Sequence, residues 1–257
     1  MFARLAVVAV AFLSAAACTP EAAGTPPPTT RSTAIAAAPS NGTVPAGRWR
    51  AVLIAGDNNS PAFDNGVQSL REKLVAHGVT NISVYSSNAA ATAPAQLASV
   101  ANVATALRTG GGDACLVFIT SHGEEKGFVL KTDRRLFDPG SLERLLSAGC
   151  GSVPTVVVVS ACHSGTFLTP DMRKPNRVIL TAAAKDRSSF GCGAGDQYTY
   201  YDQCLLQQFD GARTWRDLAA ATRTCVENQE RRMGIRQSSL PQMFVGAQVE
   251  DLRLPQR

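Results

Sequence analysis

The chain has 257 residues, a formal net charge of +5 and a hydrophobic fraction of 45%, values that are ordinary for a globular protein of one large domain or two small ones. Its lysines and arginines are scattered, and no aromatic residues alternate with them. Nucleic-acid binding requires a concentrated basic surface, so the composition argues against a nucleic acid as partner.

The first residues have the pattern of an export signal. Arg4 precedes a short apolar run, Leu5 to Leu13, and small residues follow it. The run is too short to be a permanent transmembrane helix. Residues 14–18, SAAAC, resemble the lipobox of bacterial lipoproteins, in which Cys18 would become the lipidated first residue; cleavage at an ordinary A-x-A site is the alternative. We therefore assign residues 1–18 to a lipoprotein signal peptide.

Residues 19–47 are rich in proline, threonine, alanine and serine, and we predict that they form a disordered tether. A folded domain would then occupy residues 48–257. An exported chain of this kind is expected in the periplasm or anchored to the membrane of a bacterial envelope.

The domain alternates apolar strands with amphipathic helices. The predicted strands lie, in chain order, at residues 50–55, 80–85, 115–120, 156–159, 177–181 and 242–247. The predicted helices start at Asp64 or Asn65 and then cover residues 94–108, 139–148, 202–209 and 214–233. A short hairpin is expected around residues 127–136. This order predicts an α/β fold with a mostly parallel sheet of about six strands, covered by helices on both faces.

Two of these strands end in a reactive side chain. Four consecutive valines, Val156 to Val159, indicate a strand buried on both faces, and Cys162 follows it in a turn of small residues. His122 follows the strand at 115–120 in the same way. Parallel sheets place functional groups at the carboxyl ends of their strands. If the two strands are neighbours, a thiol nucleophile and an imidazole base lie side by side.

The seven cysteines suit an oxidising compartment. Cys115 begins a strand and Cys150 ends the helix before the next strand, so a disulfide between them is geometrically reasonable. Cys204 and Cys225 lie on successive helices and could form a second one, which leaves Cys192 free. Both pairings are hypotheses at this point.

Several motifs together are similar to those of the bacterial legumain-type cysteine peptidases, which are grouped with caspases and gingipains. The motifs are AG at 55–56, TSHG at 120–123, SACHSGTF at 160–167, TAAAKDRSSFGC at 181–192 and PQMFVGA at 241–247. The resemblance implies a caspase-like three-layer α/β/α sandwich. It also implies a hydrolase with a catalytic dyad of His122 and Cys162, which cleaves peptides or proteins through an acyl-enzyme. The backbone N–H groups of Gly123 and Cys162 would form the oxyanion hole, and neither a cofactor nor a metal is expected.

The resemblance is weaker around the substrate pocket. Ser160 stands where legumains have an acidic residue, and Asp64 falls where a count of positions places the family's pocket arginine, although a helix cap is the alternative role for Asp64. Ser188 and Ser189 match the family's substrate-binding strand, and Asp202 is a further pocket candidate. Asparagine specificity therefore does not carry over to this chain.

Three alternatives remain open at the level of sequence. His163 adjoins Cys162 and is a rival base, although neighbouring residues on a turn point in different directions. The domain could be a non-catalytic envelope lipoprotein that retains the fold for binding. It could also be a transamidase, in which an amine instead of water takes the acyl group.

Overall fold

The computed structural model describes residues 42–90 and 94–256. The predicted signal peptide, Cys18 and most of the tether lie outside these residues. The last part of the predicted tether, residues 42–47, instead packs on the domain: Val44 and Ala46 are buried, and the Gly42 carbonyl accepts a hydrogen bond from the N–H of Arg253. The folded domain therefore includes residues before the predicted boundary at 48.

The centre of the domain is a seven-stranded sheet. Its strands are β1 (Trp49–Ala55), β2 (Asn81–Ser86), β3 (Gln96–Leu97), β4 (Ala114–Thr120), β8 (Thr155–Ser160), β9 (Arg177–Thr181) and β10 (Gln242–Val245). They are ordered β10-β9-β8-β4-β1-β2-β3, and all neighbours are parallel except β10 and β9. Every residue of β1, β4, β8 and β9 is buried, which explains the continuous apolar runs in their sequences.

Five helices cover the two faces of this sheet. They are α1 (Pro61–Ala76), α2 (Val100–Arg108), α3 (Pro139–Gly149), α4 (Tyr200–Phe209) and α5 (Trp215–Arg232). One apolar core lies between the sheet and α1, α4 and α5, and the other lies between the sheet and α2 and α3. The predicted three-layer α/β/α arrangement is confirmed, with one strand more than the six expected.

Two helix starts differ from the sequence prediction. Helix α1 begins at Pro61 because the Ser60 side chain accepts a hydrogen bond from the N–H of Ala62, so Asp64 lies inside the first turn and is not the cap. Helix α2 begins only after Ser99, whose side chain accepts from the N–H of Asn102. The residues before it include β3 and not a helical turn.

A small antiparallel sheet lies between β4 and α3. It consists of β5 (Gly123–Glu124), β6 (Gly127–Leu130) and β7 (Arg135–Phe137), in that order. The predicted hairpin is therefore present and begins directly after His122.

Both predicted disulfides are confirmed. Cys115 and Cys150 are joined with a Cα–Cα distance of 5.9 Å, and Cys204 and Cys225 with a distance of 5.6 Å. Cys162 and Cys192 are the free cysteines within the described residues. In the same part of the chain, no helix is both long and apolar enough to cross a bilayer.

Candidate active site

The site is built at the carboxyl ends of two neighbouring parallel strands. Thr120, the last residue of β4, is the Cα partner of Ser160, the last residue of β8. The pairing continues one step further, because the N–H of Ser121 donates to the carbonyl of Ser160 at 3.1 Å. His122 and Cys162 each follow this pair by two residues, so the register of the sheet places both at one edge.

The turn after β4 lies directly against the backbone of Cys162. A Cβ atom on Gly123 would lie 2.2 Å from the Cys162 carbonyl oxygen, so only glycine fits at this position without displacing its surroundings. This close approach fixes the His122–Gly123 turn relative to Cys162.

The N–H groups of Gly123 and Cys162 are available to a ligand. The N–H of Val129 donates to the carbonyl of His122, which makes the next pair, Gly123 and Phe128, a non-hydrogen-bonded pair of the antiparallel ladder. The Gly123 N–H therefore points away from β6. Within the described residues, the N–H of Cys162 also has no hydrogen-bond acceptor.

Cys162 is followed by a sharp change in backbone direction. His163 has a φ of 57°, a left-handed conformation that is uncommon for a residue with a side chain. The conformation is held by two hydrogen bonds: the His163 N–H donates to the Arg187 carbonyl at 2.8 Å, and ring Nδ1 lies 3.0 Å from the Lys185 carbonyl. Because a carbonyl only accepts, Nδ1 carries a proton in this contact. The His163 ring is therefore engaged by the loop after β9.

Both reactive side chains line one small cleft. Its other lining residues come from α1, the strand ends and the loop between β9 and α4, and include Phe63, Ser160, Ser189, Cys192 and Thr199. The Phe63 ring packs edge-on against the His122 imidazole, with 5.1 Å between ring centroids. No hydrogen bond joins the His122 ring to Cys162 Sγ in the described part of the chain; such contacts often tighten only when substrate binds.

Residues 95–229, more than half of the chain, match the peptidase C13 family. The chain belongs to the peptidase C13 family. Among solved structures, caspase-1 from Spodoptera frugiperda is similar, with a TM-score of 0.55 and 13% sequence identity, over 77% of this chain and 86% of that chain. At this identity the likeness shows the fold alone, which is caspase-like. No curated protein matches the sequence.

The family and the fold together are those of a cysteine peptidase, and they confirm the resemblance seen in the sequence motifs. The matched range contains both His122 and Cys162.

The five predicted substrate-binding residues do not all lie in the cleft. Ser160 and Ser189 line the cleft, whereas Ser188 is exposed beside it. Asp64 does not line the cleft: its carboxylate accepts a hydrogen bond from the Ser86 hydroxyl at 2.6 Å, at the end of β2. Asp202 is completely buried behind the cleft and not in it. The position of Asp64 thus gives no support to its predicted pocket role, because the turn of α1 presents Phe63 to the cleft instead.

Ser189 contacts Cys162 through its backbone. Its N–H donates to Cys162 Sγ at 3.2 Å, and the Cys162 thiol lies 3.5 Å from its carbonyl oxygen. The sequence TAAAKDRSSFGC therefore brings the loop after β9 back to Cys162.

Cys192 is the second thiol of the cleft. Burial raises the pKa of the Cys192 thiol, and the nearby Cys162 and Asp196 raise it further. A thiol with a raised pKa is a weaker nucleophile at neutral pH, because the thiolate is the reactive form. The sequence analysis assigned Cys192 no role. Only its position at the end of the motif TAAAKDRSSFGC could have indicated that it lies in the cleft.

Phe63 and Thr199 were also absent from the sequence prediction. Phe63 is an apolar position of an amphipathic helix and is indistinguishable in sequence from core residues. Thr199 caps α4, since its hydroxyl accepts from the N–H of Asp202 at 3.0 Å. Within residues 42–90 and 94–256, no cluster of three or more acidic, histidine or cysteine side chains could hold a metal ion.

Proposed function

We propose that this protein is a cysteine endopeptidase that uses Cys162 as nucleophile and His122 as general acid and base. The proposal is carried by one observation: two strands paired at Thr120 and Ser160 end in a histidine and a cysteine that line the same cleft. Membership of the C13 family makes a peptide bond the expected substrate.

The reaction proceeds in two stages. His122 takes the proton of the Cys162 thiol, the sulfur attacks the carbonyl carbon, and His122 gives that proton to the amine as the C–N bond breaks. A thioester between Cys162 and the acyl group remains. Water then attacks the thioester while His122 takes a proton from it, which releases the acid and restores the thiol.

Both transition states carry negative charge on the former carbonyl oxygen. The N–H groups of Gly123 and Cys162 are the donors placed to stabilise it, since neither is used by a neighbouring strand or loop. Backbone donors of this kind are effective because they are fixed before the charge develops. The absence of a side chain at Gly123 lets the substrate carbonyl approach them.

His122 is preferred to His163 as the base. The His163 imidazole contacts the Lys185 carbonyl and does not line the cleft, whereas His122 lines it and packs against Phe63. The retention of both reactive groups in one cleft also favours catalysis over a purely binding role for the domain.

We further propose that the protein is exported and held at a bacterial envelope membrane through a lipid on Cys18. The signal-like sequence of residues 1–18 supports this, and two disulfides are typical of proteins that fold in an oxidising compartment. Incorporation of an alkyne fatty acid into the wild type but not into the Cys18→Ser variant is the expected result. Equal membrane association of the wild type and the Cys18→Ser variant would contradict the lipid anchor.

The peptidase proposal is tested with a peptide library, profiled by mass spectrometry. We expect the wild type to cleave and the Cys162→Ala variant to leave every peptide intact, while a Cys192→Ser variant retains cleavage. Undiminished cleavage by Cys162→Ala would contradict the proposal. Addition of an amine acceptor to the assay distinguishes hydrolysis from transamidation, because a transamidase would yield the amide product.

A further inference from the structure

Asp202 is an acidic residue in a place where a charge is costly. It lies in the first turn of α4 with no exposed surface. Burial raises the pKa of Asp202 to about 6, although three nearby hydroxyl groups, those of Thr120, Ser160 and Thr199, lower it in part. A buried carboxylate is retained only where hydrogen bonds compensate its lost hydration.

The hydroxyl groups around Asp202 belong to the strands that carry the dyad. Thr120 Oγ1 donates to Asp202 Oδ2 at 2.6 Å. The Ser160 hydroxyl lies 3.4 Å from that of Thr199, and both lie close enough to the carboxylate to lower its pKa. Thr120 and Ser160 are Cα partners, and each precedes one member of the dyad by two residues. The carboxylate therefore accepts a hydrogen bond from the last residue of β4, and the last residue of β8 lies near it beside Thr199.

The carboxylate is enclosed from the other side by α1. A Cβ atom on Gly66 would lie 2.9 Å from Asp202 Oδ2, so this position of the helix leaves room for the carboxylate only because it is glycine. Ser160 and Thr199 line the cleft, whereas Asp202 lies behind them. Asp202 therefore has no direct contact with a substrate in the cleft and can act only through the residues that it binds.

We propose that Asp202 is a positioning residue, which holds the ends of β4 and β8 at the spacing that brings His122 and Cys162 together. This inference rests on the proposed peptidase function. An ionised carboxylate only accepts hydrogen bonds, as Asp202 Oδ2 does from the Thr120 hydroxyl. Protonation turns one of its oxygens into a donor and so changes the hydrogen bonds that it can make with the nearby hydroxyls.

Other titratable groups lie near Asp202. Tyr201 adjoins it on α4 and is buried, Asp64 lies on α1, and the cleft beyond Ser160 contains His122, Cys162 and Cys192. The proposed dyad exchanges protons during catalysis, so the pH dependence of the wild type alone cannot isolate Asp202. Both the wild type and the isosteric neutral variant Asp202→Asn contain the dyad. The ratio of their reaction rates therefore removes the contribution of the dyad.

The test measures the second-order rate at which a peptide acyloxymethyl ketone labels Cys162, between about pH 5 and about pH 8. The variants are Asp202→Asn, Asp202→Ala and, as a matched control on the same helix, Asp210→Asn. Asp210 is an exposed residue at the far end of α4, where it pairs with Lys73 and His77. Thermal melting establishes that each variant is folded.

We expect Asp202→Ala to lower the rate at least about tenfold at neutral pH, since small misplacements of reacting groups are costly, and Asp202→Asn to recover part of the loss. The ratio of wild-type to Asp202→Asn rates should rise with pH, with a midpoint near the pKa of Asp202, about 6. The Asp210→Asn ratio should stay near one at all pH values.

A ratio of wild-type to Asp202→Asn rates that does not change with pH would overturn the inference, whatever its size, because a purely structural role predicts a constant loss. If Asp202→Ala does not fold, Asp202→Asn carries the test alone. Failure of the peptidase proposal would look different, since the wild type itself would then remain unlabelled.

Discussion

Gly123 lies so close to Cys162 that a single added carbon atom on the glycine would come within 2.2 Å of the cysteine carbonyl oxygen. The contact joins the turn after β4 to the turn after β8. The two residues whose N–H groups are proposed as oxyanion donors are therefore in direct contact.

The first prediction concerns this contact. A Gly123→Ala variant has to separate the two turns, so the rate of peptide cleavage should fall by at least about tenfold while the protein remains folded. The matched control is Gly195→Ala, because a Cβ at Gly195 meets no atom within 4 Å. Equal cleavage rates for the two variants would show that the close approach is not needed.

The second prediction separates the two candidate bases. His122→Gln should lower cleavage by about 100-fold or more, which is the usual contribution of general acid–base catalysis. His163→Gln should retain cleavage within about threefold, because the His163 ring is already bonded to the Lys185 carbonyl. Steady-state rates on one peptide measure both, and the opposite order of effects would assign the role of base to His163.

Much of this site could be predicted from the sequence. Runs such as Val156 to Val159 identify strands buried on both faces, and parallel topology then brings their carboxyl ends together. Because β4 and β8 are neighbours, as this logic requires, His122 and Cys162 line one cleft, and the disulfide between Cys115 and Cys150 follows from the same strand order.

The parts that the sequence did not predict are those without a periodic pattern. β3 has only two residues, Gln96 and Leu97, both exposed, so it has no apolar signal. The start of α1 depends on the Ser60 side chain, and Asp64 offered an equally good cap by composition. Asp202 is a pocket candidate in the sequence, but its depth behind Ser160 depends on the packing of α4, which no local sequence pattern shows.

The third prediction concerns the pH dependence of stability. The pKa of Asp202 is about 6 in the folded protein, above its ordinary value of 3.8, so the folded state binds the proton more tightly than the unfolded state. The contribution of Asp202 to the stability of the folded state is therefore most favourable below about pH 4 and is lost as pH rises through about 6.

The Asp202→Asn variant should not lose stability in this way as pH rises. In the wild type the lost unfolding free energy is on the order of 3 kcal/mol for a pKa shift of this size. The measurement is urea unfolding of both proteins at several pH values between about 4 and 7. As pH rises, the unfolding free energy of the wild type should fall relative to that of Asp202→Asn. A difference that is independent of pH would contradict the burial of an ionisable Asp202.

The fourth prediction concerns the disulfide between Cys115 and Cys150. It closes a loop with a sequence separation of 35 and ties the start of β4 to the end of α3. Replacing both cysteines by alanine should lower the unfolding free energy by about 4 kcal/mol, by the loop-entropy estimate. Denaturant unfolding of the variant and of the wild type, both without reductant so that the disulfide between Cys204 and Cys225 stays intact, measures this loss, whereas an unchanged midpoint would show that the bridge adds no stability.

The proposed activation of Cys162 by His122 is tested by covalent labelling of the Cys162 thiol. The protein is incubated with an electrophilic peptide, digested, and mapped by mass spectrometry. We predict one adduct on Cys162 that is lost in His122→Ala and retained in His163→Ala. An adduct mainly on Cys192, or equal labelling of Cys162 with and without His122, would contradict the account.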